Sequence, residues 1–412
     1  MTTEPMKTSG AKTDAHAQAA TANAGQGLWQ GWKAKMASGD LGLIPVMIAL
    51  LVIWIVFDTV NQNFLSGRNM SNLIVQIVEI GMLGIGETFI LLLGEIDLSI
   101  AAISGIASAI LVLLSTSGVN PWLSILAAVA GGIVLGLFQG FWVTIIGVPA
   151  FIVTLAGSLG YQGILLAMLG QDGTVPIMNP TLLGIASTYI APWGGWLVAA
   201  VGVLIYVVTA GRNRSVRRRF DLPAPSVGAL ALRAIGIAVL AAFVISALNS
   251  YHGLPLAGLI LLVFVLVFVF ITQGTMFGRH IYALGGNAEA ARRAGINIKM
   301  IRIVVFTISG AFGALGGIIG ASRLGSASPA TGTGNLLLDS IAAAVIGGTS
   351  LFGGRGSVWN ALAGALVIGS VENGMDLLSA PSSTKYLVEG SILLIAVTID
   401  TLTRRRRNRS GR

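Results

Sequence analysis

The chain alternates between long apolar runs and short polar connectors over almost its whole length. Twelve apolar runs follow one another, at about 41–57, 71–93, 100–115, 121–146, 148–169, 193–210, 227–248, 254–271, 303–321, 339–352, 358–378 and 386–402. A run of roughly 20 apolar residues can cross the hydrocarbon core of a bilayer as one helix. The pattern therefore predicts an all-α polytopic membrane protein with about twelve transmembrane helices.

Composition agrees with this prediction and excludes several classes of function. Of the 412 residues, 54% are hydrophobic and only 10% are charged, whereas soluble domains carry about 25% charged residues. The net charge of +9 does not indicate nucleic-acid binding, because the basic residues lie almost wholly in connectors and tails. The chain has no cysteine, and its three histidines lie far apart. The sequence therefore predicts neither a disulfide nor a metal site.

The distribution of basic residues predicts the orientation. Twelve crossings place both termini on one side, and every arginine-rich connector falls on that same side. Of the 25 lysines and arginines, only Arg68, Arg323 and Lys385 lie opposite. The positive-inside rule then predicts cytoplasmic termini. The expected organisation is a disordered cytoplasmic leader (1–40), a transmembrane domain (41–403) and a basic cytoplasmic tail (404–412).

Residues 274–302 form an island of charge between two apolar runs, and they predict a short helix. Asn287 is a favourable N-cap for a helix that begins at Ala288, and Gly295 suits the left-handed residue that ends one. Such a helix has only about two turns and is too short to be stable alone in water. We therefore expect it to rest against another surface.

The charges of this short helix follow the helix dipole. Glu289 lies in its first turn and Arg292 and Arg293 lie in its last, and both arginines are within reach of Glu289. Small side chains share one face and would let another protein approach closely: Ala290, Ala291 and Ala294. An ordinary charged connector between membrane helices is the alternative interpretation.

The stretch GRHIYALGGNAEAARRAGINI (278–298) resembles the cytoplasmic coupling segment of ABC-transporter permeases for monosaccharides, of the ribose, xylose and arabinose type. In that family a short cytoplasmic helix fits a cleft in a separate ATPase subunit. The resemblance extends over most of the chain. It assigns ATPase coupling to Asn287, Glu289, Ala290, Ala291, Arg292, Arg293 and Gly295.

The resemblance also implies an architecture and a set of partners. It implies a BtuC-like type II importer fold with a ten-helix core, to which residues 193–249 add the helix pair found in xylose-type members. It implies a homodimer, an ABC ATPase inside, and a periplasmic or extracellular sugar-binding protein outside. The resemblance implies that the substrate is a monosaccharide, D-xylose, carried across the bacterial inner membrane. The chain would need no cofactor, because the partner subunit binds the ATP.

Acidic side chains concentrate at the second apolar run and at the polar break 94–99 (GEIDLS) that follows it. Charges in hydrocarbon are costly, so such residues usually face protein or a water-filled path. Six residues are therefore candidates for the translocation path: Glu87, Glu95, Asp97, Ser99, Thr154 and Asn373. The alternatives are structural. Asp97 is favoured as a cap of the next helix and Thr154 in helix packing, while the glutamates would satisfy neighbouring backbone or lie near an interface, and Asn373 would belong to a solvated outer rim. The resembled family reads GIDLSVGS here, and this chain departs from it at Glu95 and at 100–102.

Two further motifs bear on mechanism. LGEIDLS (93–99) aligns weakly with IGGTSLF (346–352), and internal duplication is common in transporters. The glycine-rich stretch 345–357 lacks the GxxxxGK[ST] arrangement of a phosphate-binding loop and instead predicts a membrane half-helix and a tight turn. No Walker A sequence or catalytic triad occurs, so we expect no enzymatic activity from this chain.

The sequence leaves two classes of transporter open. The first is the permease subunit of an ATP-driven sugar importer. The second is an ion-coupled secondary transporter that uses Glu87, Glu95 or Asp97 as proton carriers and needs no ATPase. A membrane-embedded enzyme ranks far below both, because the chain offers no nucleophile, acid–base pair or metal set.

Overall fold

A computed structural model describes residues 44–170 and 173–409, and these are largely helical. Their fifteen α-helices are α1 Ile44–Val60, α2 Gly67–Leu92, α3 Ile100–Thr116, α4 Pro121–Phe141, α5 Ala150–Leu169, α6 Pro180–Ser187, α7 Pro192–Arg219, α8 Val227–Asn249, α9 Leu256–Gly274, α10 Met276–Gly286, α11 Ala288–Arg293, α12 Ile298–Leu324, α13 Leu336–Ile346, α14 Val358–Leu377 and α15 Ser382–Arg409. A π-helical turn, Trp142–Ile146, extends α4. The predicted leader 1–40, Asp172 and the last residues of the predicted tail, 410–412, lie outside the described residues.

Each of the twelve predicted runs corresponds to a helix, but several ends differ from the prediction. Helix α7 continues to Arg219 through most of the basic connector expected at 211–221. Helix α15 likewise continues to Arg409. Arginine is a good helix former and is favourable in a last turn, so a change in hydropathy marks the edge of the apolar segment and not the end of the helix. The predicted loop 171–192 contains α6 and two short strands.

Seven of the described helices are long and apolar enough to cross a membrane: α2, α4 with its π-turn, α5, α7, α8, α9 and α12. They differ in how deeply they are buried. In the most apolar stretch of each helix, 89% of α2 and 67% of α12 is buried, against 11% of α7 and 6% of α8. Helices α2 and α12 are therefore central, and the α7–α8 pair lies at the margin.

Glycines allow the central helices to approach closely. At the crossing of α4 and α12, a Cβ atom at Gly132 would lie 2.4 Å from the carbonyl oxygen of Gly310, and one at Gly310 would lie 2.2 Å from that of Gly132. A Cβ at Gly136 would lie 2.3 Å from the carbonyl oxygen of Phe306. Such small-residue contacts are typical of membrane helix packing, because lipid supplies no hydrophobic drive between helices.

Helix α3 begins deep inside the fold. A Cβ at Gly313, near the middle of α12, would lie 2.9 Å from the carbonyl oxygen of Ile100, the first residue of α3. Further along, Ser108 donates a hydrogen bond to the Gly317 carbonyl (2.8 Å). Helix α3 therefore runs alongside the second half of α12. The break 94–99 connects the end of α2 to the middle of the fold, where α3 begins.

Helix α13 is the counterpart of α3 and points the other way. Its first residues, Leu336 and Leu337, pack with Leu83 of α2 and with the first turn of α3. Its last residues pack beside Leu91, near the end of α2. The non-helical segment 328–335 reaches this start from the opposite end of α12. Two half-helices thus begin near mid-height and run in opposite directions, the arrangement typical of repeat-built transporters.

We predict that Gly310→Val separates α4 from α12, because its side chain would collide with backbone and not with a movable side chain. Overpacking costs about 1–3 kcal/mol, and a rigid backbone neighbour places this substitution at or above the top of that range. Thermal unfolding of the detergent-purified protein measures the effect. Gly236→Val is the control, since Gly236 lies mid-helix in α8 with open space around it. Equal melting temperatures for the two variants would contradict the assigned crossing.

Candidate functional site

The short predicted helix is present as α11, Ala288–Arg293. The Asn287 side chain accepts a hydrogen bond from the Ala290 amide (2.9 Å), and Gly295 has a φ of +80°. Glu289 forms ion pairs with Arg292 (3.0 Å) and Arg293 (3.2 Å). The cap, the terminating glycine and both pairs are confirmed.

One face of α11 is attached to the protein, and the other is free. Ala291 is 3% exposed and belongs to the main hydrophobic core, whereas Ala290 and Ala294 are exposed. The three alanines therefore do not form one open face as the sequence suggested, because Ala291 anchors the helix to its own chain. The remaining predicted coupling residues stay exposed: Asn287, Glu289, Ala290, Arg292, Arg293 and Gly295.

Behind α11, helix α10 packs directly on backbone. A Cβ at Gly285 would lie 1.8 Å from the Leu92 carbonyl oxygen and 2.6 Å from the Gly354 amide nitrogen. The Gly354 amide itself donates to the Leu92 carbonyl (2.9 Å). The end of α2, the glycine-rich turn at 353–354 and α10 therefore meet without intervening side chains. A shift of α10 must therefore displace both the loop that follows α2 and the turn at 353–354.

The two weakly repeated motifs also meet at this place. A Cβ at Gly94 would lie 3.3 Å from the Phe352 carbonyl oxygen, and one at Gly353 would lie 2.9 Å from the Gly94 amide nitrogen. Gly94 and Gly353 both have positive φ, +77° and +82°, which glycine adopts readily. The glycine-rich stretch therefore serves as a tight turn after a half-helix, as expected.

An ion pair ties the break 94–99 to the segment that follows α11. Arg302, in the second turn of α12, lies 2.8 Å from a carboxylate oxygen of Glu95, whose side chain is 12% exposed. Glu95 is therefore engaged with a partner that the sequence analysis did not assign. Removing one member of a buried pair leaves an uncompensated charge and is strongly destabilising.

Asp97 organises the start of α3. Its carboxylate accepts hydrogen bonds from the amide (2.9 Å) and hydroxyl (2.6 Å) of Ser99 and from the hydroxyl of Ser309 on α12 (2.8 Å). Gln139 of α4 donates to the Ser99 hydroxyl. All four side chains are fully buried. Asp97 therefore joins three helices, but it is not the N-cap of α3 as the sequence favoured, because that position is Ser99.

The other predicted path residues lie apart from one another. Thr154 is fully buried and 3.4 Å from the Ile96 carbonyl. Asn373 accepts from Asn69 (2.7 Å) and donates to Gln76 (3.0 Å). Five of the six candidates are therefore packed in the interior, and Glu95 is nearly so. Their role in translocation stays a prediction.

Glu87 differs from the other buried acids. It has no exposed surface, and neither carboxylate oxygen has a hydrogen-bond partner among the described residues. Glu79, two turns earlier in α2, by contrast lies 3.4 Å from Arg323. An unpaired charge in such a place would be very costly, so packing alone does not account for Glu87.

Sequence reasoning missed Arg302, Ser309 and Gln139, which complete the Glu95 and Asp97 networks. All three are polar residues within or beside long apolar runs, which is the signal that singled out Glu87. The acidic residues attracted attention because a carboxylate is costly in hydrocarbon. Ser309 and Gln139 are uncharged and carry no such signal, and Arg302 stands among the basic residues of a connector. Only the three-dimensional packing joins Ser309 to Asp97, 212 positions apart.

These features define a class: a multi-pass helical membrane transport subunit with paired half-helices and an exposed, capped helix at one end. Residues 69–397 match the family described as branched-chain amino acid transport system, permease component. The chain belongs to this permease family and is therefore a transporter subunit of the inner membrane, not an enzyme. No solved structure matches the chain.

Curated relatives agree with this assignment. The xylose transport system permease protein of Haemophilus influenzae is 37% identical over 90% of this chain and 99% of its own length. The protein of the same name from Escherichia coli K12 is 39% identical over 90% and 94%. The ribose import permease protein of Escherichia coli K12 is 31% identical over 86% and 92%. The predicted resemblance to ribose- and xylose-type permeases is confirmed.

We predict that Arg302→Gln destabilises the protein by leaving Glu95 without its partner. The loss should approach, without reaching, the roughly 3–5 kcal/mol of a fully buried pair, because Arg302 is 35% exposed. The double variant Glu95→Gln/Arg302→Gln should recover part of the loss in thermal unfolding. Arg279→Gln, at an exposed site on α10, is the control. A double variant less stable than Arg302→Gln would mean that the pair does not act as one unit.

Proposed function

We propose that this chain is the membrane-spanning permease subunit of an ATP-driven ABC importer that carries a monosaccharide, D-xylose, across the bacterial inner membrane. The relatives support the substrate, since they are named for xylose and ribose transport. The observation that carries the proposal is α11. It is a capped, charged helix fixed to the core through Ala291, with its remaining surface free.

The proposal assigns partners to the two ends of the fold. An ABC ATPase binds α11 on the cytoplasmic side, where both termini also lie. A periplasmic sugar-binding protein meets the opposite end, and two copies of this chain form the translocation route between them. The positive-inside distribution of lysine and arginine supports this orientation. ATP is bound by the partner, so the chain itself needs no cofactor.

The contacts behind α11 suggest how ATP hydrolysis would move the membrane region. Helix α10 touches the end of α2 and the turn at 353–354 through glycine, and α12 is tied to the break 94–99 through Arg302 and Glu95. A displacement of α10 and α11 would thus reach both half-helices. Sugar delivery outside and ATPase closure inside would bias two packings of these helices, which gives alternating access.

We predict that Glu289→Lys weakens docking of the ATPase by reversing a first-turn charge and breaking both ion pairs of α11. A loss of at least about tenfold in affinity, roughly 1.4 kcal/mol, is expected. Co-purification of the ATPase with the tagged permease measures it. Asp221→Lys makes the same charge change at the exposed connector after α7 and should leave assembly intact. Equal assembly of the two variants would remove α11 as the docking element.

An ion-coupled secondary transporter is the second candidate. It is favoured by the carboxyl of Glu87, which has no hydrogen-bond partner among the described residues. The energy source of uptake separates the two candidates.

We predict that xylose uptake into proteoliposomes holding the assembled complex falls to background without ATP and changes less than twofold when ionophores collapse the ion gradients. Glu87→Gln should retain ATP-driven uptake. Uptake by the permease alone down a proton gradient would replace the first proposal with the second.

A further inference from the structure

The two half-helices begin beside a polar cavity that no predicted path residue lines. The cavity has a volume of ≈ 220 Å³, and we call it the mid-height cavity. Its walls come from the first turn of α3, the middle of α5, the segment 328–335 and the first turn of α13. Its lining includes Ala101, Ser158, Gln162, Thr331, Thr333 and Leu337.

The depth of this cavity follows from the contacts of the segment 328–335. A Cβ at Gly332 would lie 2.1 Å from the Ala101 carbonyl oxygen, and one at Gly105 would lie 2.5 Å from that of Thr331. Those residues form the first turns of α3, which begins beside the middle of α12. The cavity therefore lies near the midpoint of a helix that crosses the membrane.

Irregular backbone at such depth restricts what can surround it. Residues 328–335 are not helical, and Gly332 and Gly334 have φ values of +74° and +68°. Non-helical backbone within a bilayer is tolerated only where protein covers it or where it lines a water-filled cavity. Gly334 is exposed, and a Cβ atom built there would have no neighbour within 4 Å. This face of the protein therefore does not meet lipid hydrocarbon.

The chemistry of the lining selects a neutral, hydroxyl-rich ligand. Ser158, Thr331 and Thr333 supply hydroxyl groups, and Gln162 supplies an amide that both donates and accepts. Among the described residues that line the cavity, none is acidic or basic. An amino acid would bring an ammonium group that finds no carboxylate here. A monosaccharide exchanges its water contacts for hydroxyl and amide contacts without burying a charge.

The size of the cavity and the helix ends agree with this assignment. The volume lies below the roughly 300 Å³ at which pockets for drug-sized ligands begin, which suits a single sugar ring. The N-termini of α3 and α13 both start at the cavity and present positive dipole ends, which favour the oxygen lone pairs of a bound hydroxyl. Helices α3 and α13 are connected to the α10 region through Gly94 and Gly353, the loop residues described above.

We propose that the mid-height cavity is a monosaccharide-binding station on the translocation route, with Ser158, Gln162 and Thr333 as its hydrogen-bonding residues. This rests on the proposed function and names the surface along which the sugar passes. The buried candidates Asp97, Ser99 and Thr154 would then hold the segment that leads into α3 in place. They would not contact the sugar themselves.

The absence of cysteine from the whole chain gives a direct test. Ser158→Cys introduces the only thiol with almost no change in shape. The experiment measures the rate at which a water-soluble methanethiosulfonate reagent modifies it in proteoliposomes that hold the complete transporter. Gly236→Cys, mid-helix and exposed on α8, is the lipid-facing control. Gln162→Cys is the second reporter if Ser158→Cys assembles poorly.

We expect modification of Ser158→Cys to be at least tenfold faster than that of Gly236→Cys, and to be slowed at least threefold by millimolar xylose but not by leucine. A rate equal to that of Gly236→Cys would overturn the proposal, because the cavity would then face lipid. Protection by leucine alone, or by neither solute, would overturn it as well. ATP-driven xylose uptake by the unmodified transporter is measured in parallel. Its absence would count against the proposed function, whereas normal uptake with no protection would count against the cavity alone.

Discussion

The structure depends on one requirement: backbone groups that leave a helix inside a bilayer must be satisfied by protein or by water. Among the described residues, two non-helical segments reach the middle of the fold and start a helix there, 94–99 and 328–335. At the first break Asp97 accepts from Ser99 and Ser309, so the start of α3 is held by side chains. At the second break Gly332 and Gly334 adopt positive φ in the turn, and Thr331 and Thr333 line the cavity beside it. One break is sealed by a buried polar network, and the other opens onto a cavity.

The segments that precede the two half-helices α3 and α13 therefore differ in what they contact. The sealed break lies next to α12 and is fastened to it through Glu95 and Arg302. The open break carries the groups that suit a polar solute. Because α3 and α13 start side by side, a movement that reaches one through the sealed side alters the shape of the open side. A small exposed helix can thus influence a distant cavity through contacts that contain little more than backbone and glycine.

Sequence reasoning succeeded where the physical signal is local. Asn287, Gly295 and the Glu289 pairs follow from capping and helix-dipole preferences within a few residues, and the twelve apolar runs follow from bilayer thickness. It failed where the answer depends on which residues meet in space. Ala291 looks like its alanine neighbours in sequence, yet only it turns inward. Arg302 and Ser309 meet Glu95 and Asp97 from a helix some 200 positions further along the chain, and the cavity beside Ala101 combines residues of three separate segments.

The marginal helix pair has its own consequence for the surrounding lipid. The buried residues of α7 and α8 are Gly194, Gly195, Ile245 and Leu248, and all of them lie at one end of the hairpin. The arginine-rich tip at the other end (212–219) has no buried residue of its own. The hairpin of α7 and α8 therefore packs closely against the rest of the permease at one end only. Anionic headgroups attract basic residues by roughly 1 kcal/mol each near the surface, so the arginine-rich end is suited to contact lipid directly.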